Sequence, residues 1–141
     1  MSGERAERIE LRLPATVEWL ALARITGAAV ASRLDFSYDE ISDLRLAIDE
    51  LCLTLVEGRP TSYLEICFEA DGAALTVHGT AVAAGPGEST GAGAALDADL
   101  ALSSDLSTRI LDALVDAHGS EDGSDTRRAW LRKQRSRQTT T

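Results

Sequence analysis

Glu50 and Thr54, one helical turn apart, are the residues of this sequence best placed to do chemistry. Side chains four residues apart on a helix point into the same space. A carboxylate and a hydroxyl placed in this way are oxygen ligands of the kind that magnesium takes in phosphate-transfer sites. The other interpretation is a solvated acidic face on an amphipathic helix, and periodicity alone favours this second interpretation.

The helix that must carry this pair is the stretch Phe36–Gly58, and both of its ends are marked in the sequence. Ser37, followed three residues later by Glu40, is the pattern of an N-terminal capping box. Gly58 favours the left-handed conformation that closes a helix, and Pro60 prevents the helix from continuing. We therefore predict one long helix over this stretch.

Two stripes of side chains run along opposite sides of the predicted helix. One stripe is apolar, which is typical of a face that packs on a sheet. The other stripe carries Glu50 and Thr54 and is predicted to face a cleft. The apolar stripe consists of Ile41, Leu44, Ile48, Leu51 and Leu55, and the second stripe of Asp43, Ala47, Glu50, Thr54 and Glu57.

Composition and charge limit the class of protein. The 141 residues are the size of one domain, and 44% of them are hydrophobic, which is enough for a core. The formal net charge of −9 argues against a general nucleic-acid binder, because phosphates would be repelled. Cys52 and Cys67 are too few for a disulfide framework, so we expect reduced thiols in a cytoplasmic protein. No apolar run has the length of a membrane span, and the N-terminal residues lack the apolar core of a signal peptide.

The remaining elements are predicted from periodicity and turn signals. Alternating apolar residues indicate strands, and apolar residues at steps of three and four indicate helices. The strands are predicted at Glu7–Leu13, Tyr63–Ala70, Ala74–Thr80 and Thr126–Lys133, with a hairpin turn at Asp71-Gly72 and a turn cluster at Gly119–Asp125. Two more helices are predicted, one capped by Thr16 and running to about Arg33, and one at Leu106–Ala117 with Ser104 as its cap.

Two segments have no periodicity of either kind. Residues 82–103 are rich in glycine and alanine and are predicted to form a flexible loop or lid, and residues 134–141 a disordered basic tail. The predicted order is β-α-α-β-β-loop-α-β in a single domain, 1–141. Because the hairpin requires antiparallel pairing, we predict an α+β two-layer sandwich, with helices on one face of a mixed or antiparallel sheet.

Other residue types give weaker signals. His78 and His118 have no cysteine or histidine nearby in sequence, so we expect a strand-face residue and a helix-end residue rather than metal ligands. The basic residues near the C-terminus are compatible with a DNA-contacting tail. However, only Trp130 interleaves with them, which favours a solvated strand edge. Trp19 and Trp130 are expected to be core or interface anchors.

The run DLRLAIDELC at Asp43–Cys52 resembles the signature helix of the anti-sigma-factor serine kinases of the RsbW and SpoIIAB type. These are small bacterial members of the histidine-kinase-like ATPase superfamily. The segment Ile110–Gly123 looks like the last helix and turn of that family, and the order of elements matches over nearly the whole chain. The pattern is most similar to the divergent actinobacterial branch. The resemblance implies the histidine-kinase-like ATPase fold, also called the Bergerat fold.

The resemblance also implies a regulatory cycle in bacterial stress-response transcription. Family members bind an alternative sigma factor and a small anti-anti-sigma protein. Active members phosphorylate the anti-anti-sigma protein on serine or threonine, with ATP and magnesium as cofactors. The family often forms homodimers, and the N-terminal strand and first helix are the candidates for that contact. Neither a membrane nor direct nucleic-acid contact is implied.

Carried over by position, the resemblance assigns roles to three residues. Glu50 matches the general base that takes the proton of the acceptor hydroxyl. Thr54 stands where the family has a magnesium-binding asparagine. Gly79 lies in the stretch His78–Val82, which matches the Asp-x-Gly-x-Gly motif of the nucleotide site but contains no carboxylate.

Further positions depart from the family pattern. Gly58 stands where the family commonly has histidine, and Asp105 and Ser107 stand at a glycine pair before the last helix. With three of four nucleotide motifs altered, three hypotheses stay open. The chain is an anti-sigma regulator that acts by protein contact, an active serine/threonine kinase of the same cycle, or a regulatory domain that docks on another protein of the pathway. The altered motifs favour the contact regulator.

Overall fold

A computed structural model describes residues 7–58, 60–85, 104–123 and 126–136. It contains three helices and five strands in the described ranges. The strands are β1 (Glu7–Pro14), β2 (Thr61–Asp71), β3 (Ala74–Ala83), β4 (Ala117–Asp122) and β5 (Thr126–Gln134). The helices are α1 (Val17–Arg33), α2 (Tyr38–Val56) and α3 (Ser104–Leu114).

All five strands form one sheet in the order β1-β2-β3-β5-β4, and every neighbouring pair is antiparallel. The inward side chains of β2, which include Leu64, Ile66 and Phe68, are fully buried beneath the helices, while the alternate ones reach the outer face. The predicted α+β two-layer sandwich is therefore confirmed, and its sheet is antiparallel throughout. Within the described ranges, no helix is both long and apolar enough to cross a membrane.

Local signals fix the position of α2. The backbone N–H of Ser37 donates to Glu40 Oε1 at 2.8 Å, and the backbone N–H of Glu40 donates to Ser37 Oγ at 3.1 Å. This reciprocal pair is the predicted capping box. Gly58 has φ 68°, the left-handed conformation predicted for the helix end. Along the apolar stripe, Leu44, Ile48, Leu51 and Leu55 are all buried, which confirms the face that packs on the sheet.

Close packing between α1 and α2 depends on Gly27. A Cβ atom at this position would collide with Ile48 and lie 3.3 Å from the ring of Phe68. The small residue therefore lets α1 approach α2 and the sheet. Thr16 occupies the N-cap position of α1, but its hydroxyl makes no capping bond and is buried without a partner in the structure. The predicted Thr16 cap was wrong in this respect.

The second half of the chain differs from the predicted boundaries. The last helix, α3, ends at Leu114 rather than Ala117, and most of the predicted turn cluster belongs to the edge strand β4. The turn between β2 and β3 consists of Gly72 and Ala73, one residue later than predicted, with Gly72 at φ 62°. These shifts add one strand to the predicted order.

The first residues of the predicted loop and of the predicted tail belong to strands. Strand β3 continues to Ala83, so residues 82 and 83 belong to the sheet; residues 86–103 lie outside the described ranges. Gln134 is the last residue of β5. The backbone N–H groups of Arg135 and Ser136 donate to Ala73 O and Glu40 Oε2, both at 2.7 Å. The rest of the predicted tail, 137–141, is also outside the described ranges.

Strand β5 and the residue that follows it supply a basic side chain to the C-terminal end of each described helix. Lys133 Nζ donates to Leu114 O at the end of α3, at 2.7 Å. Arg135 Nη1 donates to Leu34 O at the end of α1, also at 2.7 Å. Arg127 makes the equivalent contacts with α2, described below. A cation at this end donates hydrogen bonds to carbonyl oxygens that have no partner within the helix, and it interacts favourably with the negative end of the helix dipole. These three residues of the C-terminal basic cluster are therefore structural, which neither sequence-based interpretation anticipated.

Candidate functional site

A cleft of about 400 Å³ lies between α2, α3 and the β4–β5 edge of the sheet. Its size is in the lower part of the range of small-molecule sites, about 300–1,000 Å³. Polar side chains dominate its lining, and those used in the argument below are Thr54, Ser107, Thr108, His118, Asp122 and Arg127. The second stripe of α2 turns towards this cleft.

Glu50 is bonded to a residue of that lining. Ser107 Oγ of α3 donates to Glu50 Oε2 at 2.7 Å, in a partly buried contact. Ala47, one turn earlier on the same stripe, is fully buried. This stripe is thus a helix-packing face rather than a wholly solvated acidic face. It brings the predicted base within hydrogen-bond reach of a hydroxyl.

Thr54 lines the cleft, and its carbonyl oxygen accepts a bond from Arg127 of the same lining. Glu50 and Thr54 therefore lie on the same side of α2, as their spacing predicted. Nowhere in the described part of the chain do three histidine, cysteine, aspartate or glutamate side chains form a group that could hold a metal ion.

Gly79 is separate from this pair. It lies on the inner face of β3, where a Cβ atom would collide with Leu55 of α2 and lie 3.3 Å from Ile66 Cδ1. It does not line the cleft. The absence of a side chain lets α2 pack closely on the sheet, so Gly79 has a packing role, and the nucleotide contact inferred from its motif position stays a prediction.

Arg127 is a residue of the cleft that sequence reasoning missed. Its Nη1 donates to the carbonyl oxygens of Thr54 at 2.9 Å and Glu57 at 2.6 Å. Its Nε donates to Asp122 Oδ1 at 2.6 Å. The side chain is 16% exposed. The sequence holds one indication: Arg127 lies two residues before Ala129 in β5, so the two side chains are on the same, inner face of the sheet.

An ion pair and a buried thiol lie on α2 close to Glu50. Arg24 Nη1 donates to both carboxylate oxygens of Asp49 at 2.9 Å, which ties α1 to α2 one residue before Glu50. Burial, together with the nearby Asp49 carboxylate, raises the pKa of the Cys52 thiol to about 12. Both described cysteines are free, as predicted.

The two histidines occupy different environments. His78 lies on the outer face of β3, as predicted, with Nε2 3.3 Å from Glu69 Oε1. His118 belongs to β4 rather than to a helix end, and its Nε2 lies 2.7 Å from Asp112 Oδ1 of α3. The His118–Asp112 contact joins β4 to α3 beside the cleft.

The donor set of the cleft does not fit a magnesium nucleotide of the family type. Glu50 is engaged by Ser107, and Thr54 is the one predicted metal ligand that faces the cleft. The described stretch His78–Val82 supplies no carboxylate, and Gly79 lies under Leu55. Arg127, a cation of the cleft, is already paired with Asp122 and two helix carbonyls.

Comparison with known proteins supports the resemblance over a limited stretch. No family model matches the chain. Curated proteins named serine-protein kinase RsbW are 46% identical to it over 54 residues; they include proteins of Bacillus thuringiensis (strain Al Hakam), Bacillus cereus (strain B4264) and Bacillus anthracis (strain CDC 684 / NRRL 3495). The match covers 38% of this chain and about a third, 34%, of the length of these relatives.

The chain is thus similar to RsbW-type proteins, as the Asp43–Cys52 run indicated. The five-stranded antiparallel sheet with three described helices is consistent with the histidine-kinase-like ATPase fold that this similarity suggests.

Proposed function

We propose that this chain is an anti-sigma regulator that acts by protein contact, binding an alternative sigma factor or an anti-anti-sigma protein. The similarity to RsbW supports the class of protein. The observation that carries the contact-based action is the Ser107–Glu50 hydrogen bond, because it occupies the carboxylate that a kinase would need as its base. ATP and magnesium, the cofactors implied by the resemblance, are expected to bind weakly.

The start of α2 is the surface proposed to meet a basic partner. Asp35 and Asp39 are exposed there, and Tyr38 between them is 83% exposed. Glu40 and Asp43 are less available. Glu40 accepts bonds from the chain itself, and Asp43 Oδ2 lies 4.0 Å from Lys133 Nζ. The negative field of these exposed carboxylates would speed the encounter with a basic surface and make association sensitive to salt.

The test is co-purification with candidate sigma factors, with and without magnesium ATP. Wild type and Glu50→Ala should both bind, and binding should not depend on nucleotide. The double change Asp35→Asn and Asp39→Asn should weaken binding and flatten its salt dependence, since asparagine tolerates the left-handed conformation of Asp35, φ 63°. A control pair, Glu65→Gln and Asp71→Asn, removes the same charge from β2 and should leave binding intact. Binding that requires ATP would reject the contact-only proposal.

An active serine/threonine kinase is the second candidate. The relatives are named serine-protein kinases. Incubation of the chain with labelled ATP, magnesium and a candidate anti-anti-sigma protein separates the candidates. Transfer of phosphate by wild type, lost in Glu50→Gln, would favour the kinase.

Homodimerisation through the first helix is proposed as part of the same function. Trp19 and Ile25 of α1 are large apolar side chains that are 50% and 58% exposed. We expect Trp19→Ser with Ile25→Ser to shift the mass measured by light scattering from dimer to monomer. Leu46→Ser, which changes a 56% exposed residue of α2, is the control and should leave the mass unchanged. A wild-type monomer at high concentration would reject the dimer.

A further inference from the structure

Strand β5 turns three large side chains to the outer face of the sheet. Because side chains alternate along a strand, Arg128, Trp130 and Arg132 lie on the face opposite to the buried Ala129 and Leu131. The described helices pack on the inner face, so none of them covers these three side chains. We call Arg128, Trp130 and Arg132 the outer stripe of β5.

The aromatic residue at the centre of the outer stripe is held in place by its neighbour. Gly119 of β4 lies opposite Trp130, and a Cβ atom built on Gly119 would be 2.7 Å from Nε1 and 3.0 Å from Cε2 of the indole. The indole therefore rests against the backbone of β4, while 36% of Trp130 stays exposed. A rigid aromatic side chain loses little conformational freedom when it is covered, which is one reason why tryptophan is enriched at the centres of interfaces.

The polar groups of the outer stripe are hydrogen-bond donors with little to bind in their own chain. Arg128 forms no ion pair or hydrogen bond with any residue of the described ranges, and the indole N–H of Trp130 has no acceptor among them either. Arg132 Nη1 lies 3.4 Å from Thr76 Oγ1, which is long for a hydrogen bond. Guanidinium and indole groups donate only, and the planar guanidinium matches a carboxylate in geometry and charge. A ligand of this stripe must therefore supply acceptors, and carboxylates fit best.

The residues beside the outer stripe leave its local charge positive. Those in register with it are Thr76, His78 and Thr80 of β3 and Ala117, Gly119 and Glu121 of β4. Glu121, opposite Arg128, is the single carboxylate among these six, whereas the chain as a whole carries a net charge of −9. Charges are screened beyond about 8 Å at physiological salt, so a short acidic segment is governed by the two arginines that it contacts. A nucleic acid, with one charge per about 1.7 Å of duplex, would extend past them onto the acidic surroundings.

We propose that the outer stripe of β5 binds an acidic segment of another protein, in which an apolar side chain stands between two carboxylates. A strand rises about 3.4 Å per residue, so Arg128 and Arg132 are about 14 Å apart along β5. Residues i and i+4 of an extended partner have the same separation, with residue i+2 placed over the indole. The inference goes beyond the proposed function, because the acidic start of α2 belongs to the helix layer and the outer stripe to the opposite face. The two surfaces would take partners of opposite charge.

Nuclear magnetic resonance of the full chain gives a direct readout of the stripe. The sequence has two tryptophans, so the ¹⁵N-labelled protein has two indole N–H signals, and Trp130→Phe identifies one of them by its loss. The probe is the peptide GESFSEG, acetylated and amidated so that its only charges are the two carboxylates. We expect it to shift the Trp130 signal and to leave the Trp19 signal in place.

Peptide and protein variants separate the charge from the ring. The uncharged peptide GQSFSQG should bind about three to thirty times more weakly than GESFSEG, since two exposed ion pairs are lost. The double variant Arg128→Gln with Arg132→Gln should lose the same factor. Arg8→Gln with Arg12→Gln removes equal charge from the outer face of β1, three strand spacings or about 14 Å away, and is the matched control. Its affinity should stay within roughly a factor of two of wild type, because that distance exceeds the screening length.

The absence of any Trp130 shift at millimolar GESFSEG would overturn the proposal, and so would equal binding of GQSFSQG or an equal loss in the control variant. Tighter binding of a single-stranded thymidine heptanucleotide would assign the stripe to nucleic acid instead. A Trp130 signal that moves when the protein alone is diluted would show that a second copy covers the stripe. Failure of the sigma-factor test leaves these results intact, because Asp35 and Asp39 are not part of the stripe.

Discussion

Ser107 Oγ lies 2.7 Å from Glu50 Oε2, although 57 positions separate the two residues in the chain. The contact joins α3 to α2 beside the cleft. A carboxylate that already accepts a hydrogen bond from its own chain is less available to take a proton from another hydroxyl.

Replacing Arg127 should destabilise the fold far more than replacing its neighbour. Arg127→Met keeps the aliphatic stem but removes the bonds to Thr54 O, Glu57 O and Asp122, and we expect a loss of about 2–3 kcal/mol. Arg128→Met, on the exposed face of β5, should change stability by less than about 0.5 kcal/mol. Urea unfolding measures both. Equal losses would show that Arg127 is not a helix-capping residue.

Gly79→Ala should destabilise the protein because its methyl group would collide with Leu55. Overpacking of this kind costs about 1–3 kcal/mol. Combining it with Leu55→Ala, which clears the space, should cost less than the sum of the single changes, a coupling that a double-mutant cycle in urea detects. Thr80→Ala, with its side chain on the opposite face, is the control. Additive effects would contradict the packing role of Gly79.

Changes at Ser136 should alter the titration of Glu40. Although burial opposes its ionisation, hydrogen bonds from the backbone and hydroxyl groups of Ser37 and Ser136 lower the pKa of Glu40 to about 2. The folded state lowers this pKa, so the ionised carboxylate stabilises the fold at any pH above the ordinary pKa of 4.5. This contribution is lost as the pH falls from 4.5 towards 2.

Proline at position 136 lacks both the N–H and the hydroxyl, so Ser136→Pro should raise the pKa of Glu40 in carboxyl NMR titrations. Ser136→Ala removes only the hydroxyl and should raise it by less. The same shift in both variants, or none, would show that the backbone bond from position 136 does not hold Glu40.

The two thiols should react at very different rates. Cys52 is buried, and burial holds its pKa near 12, so almost no thiolate is present at neutral pH. Cys67 is partly exposed on the outer face of β2. We expect a thiol reagent at pH 8 to label Cys67 in the native protein and Cys52 only after denaturation, with Cys67→Ala confirming the assignment. Rapid native labelling of Cys67→Ala would mean that α2 opens readily.

The parts of the fold that sequence predicted are those specified by nearby residues. The start of α2 was correct because Ser37 and Glu40 complete each other's bonds within four residues. Strand β4 was missed because its sequence, AHGSED, has the composition of a turn. What makes it a strand is pairing with β5, in which Gly119 lies opposite Trp130 and the missing side chain makes room for the indole. That information lies in the partner strand.

In the candidate site, too, only the features specified by nearby residues could be predicted from the sequence. The spacing of Glu50 and Thr54 placed both on one side of α2, because helical periodicity is a local property. Their partners come from distant segments: Ser107 from α3 and Arg127 from β5, 73 residues after Thr54. A sequence shows that a hydroxyl and a guanidinium exist, but only the packed chain shows which carboxylate or carbonyl each one meets.

The three helix contacts described above, two from β5 and one from Arg135 after it, affect when the fold can form during synthesis. Arg135 follows Leu34, whose carbonyl it binds, by 101 residues. At about 5–20 residues per second, α1 would wait roughly 5–20 s on the ribosome for this partner. Strand β4 would wait too, because β5 lies between it and β3. The nascent chain should therefore remain open to proteases and chaperones until β5 emerges, and then close in one late step.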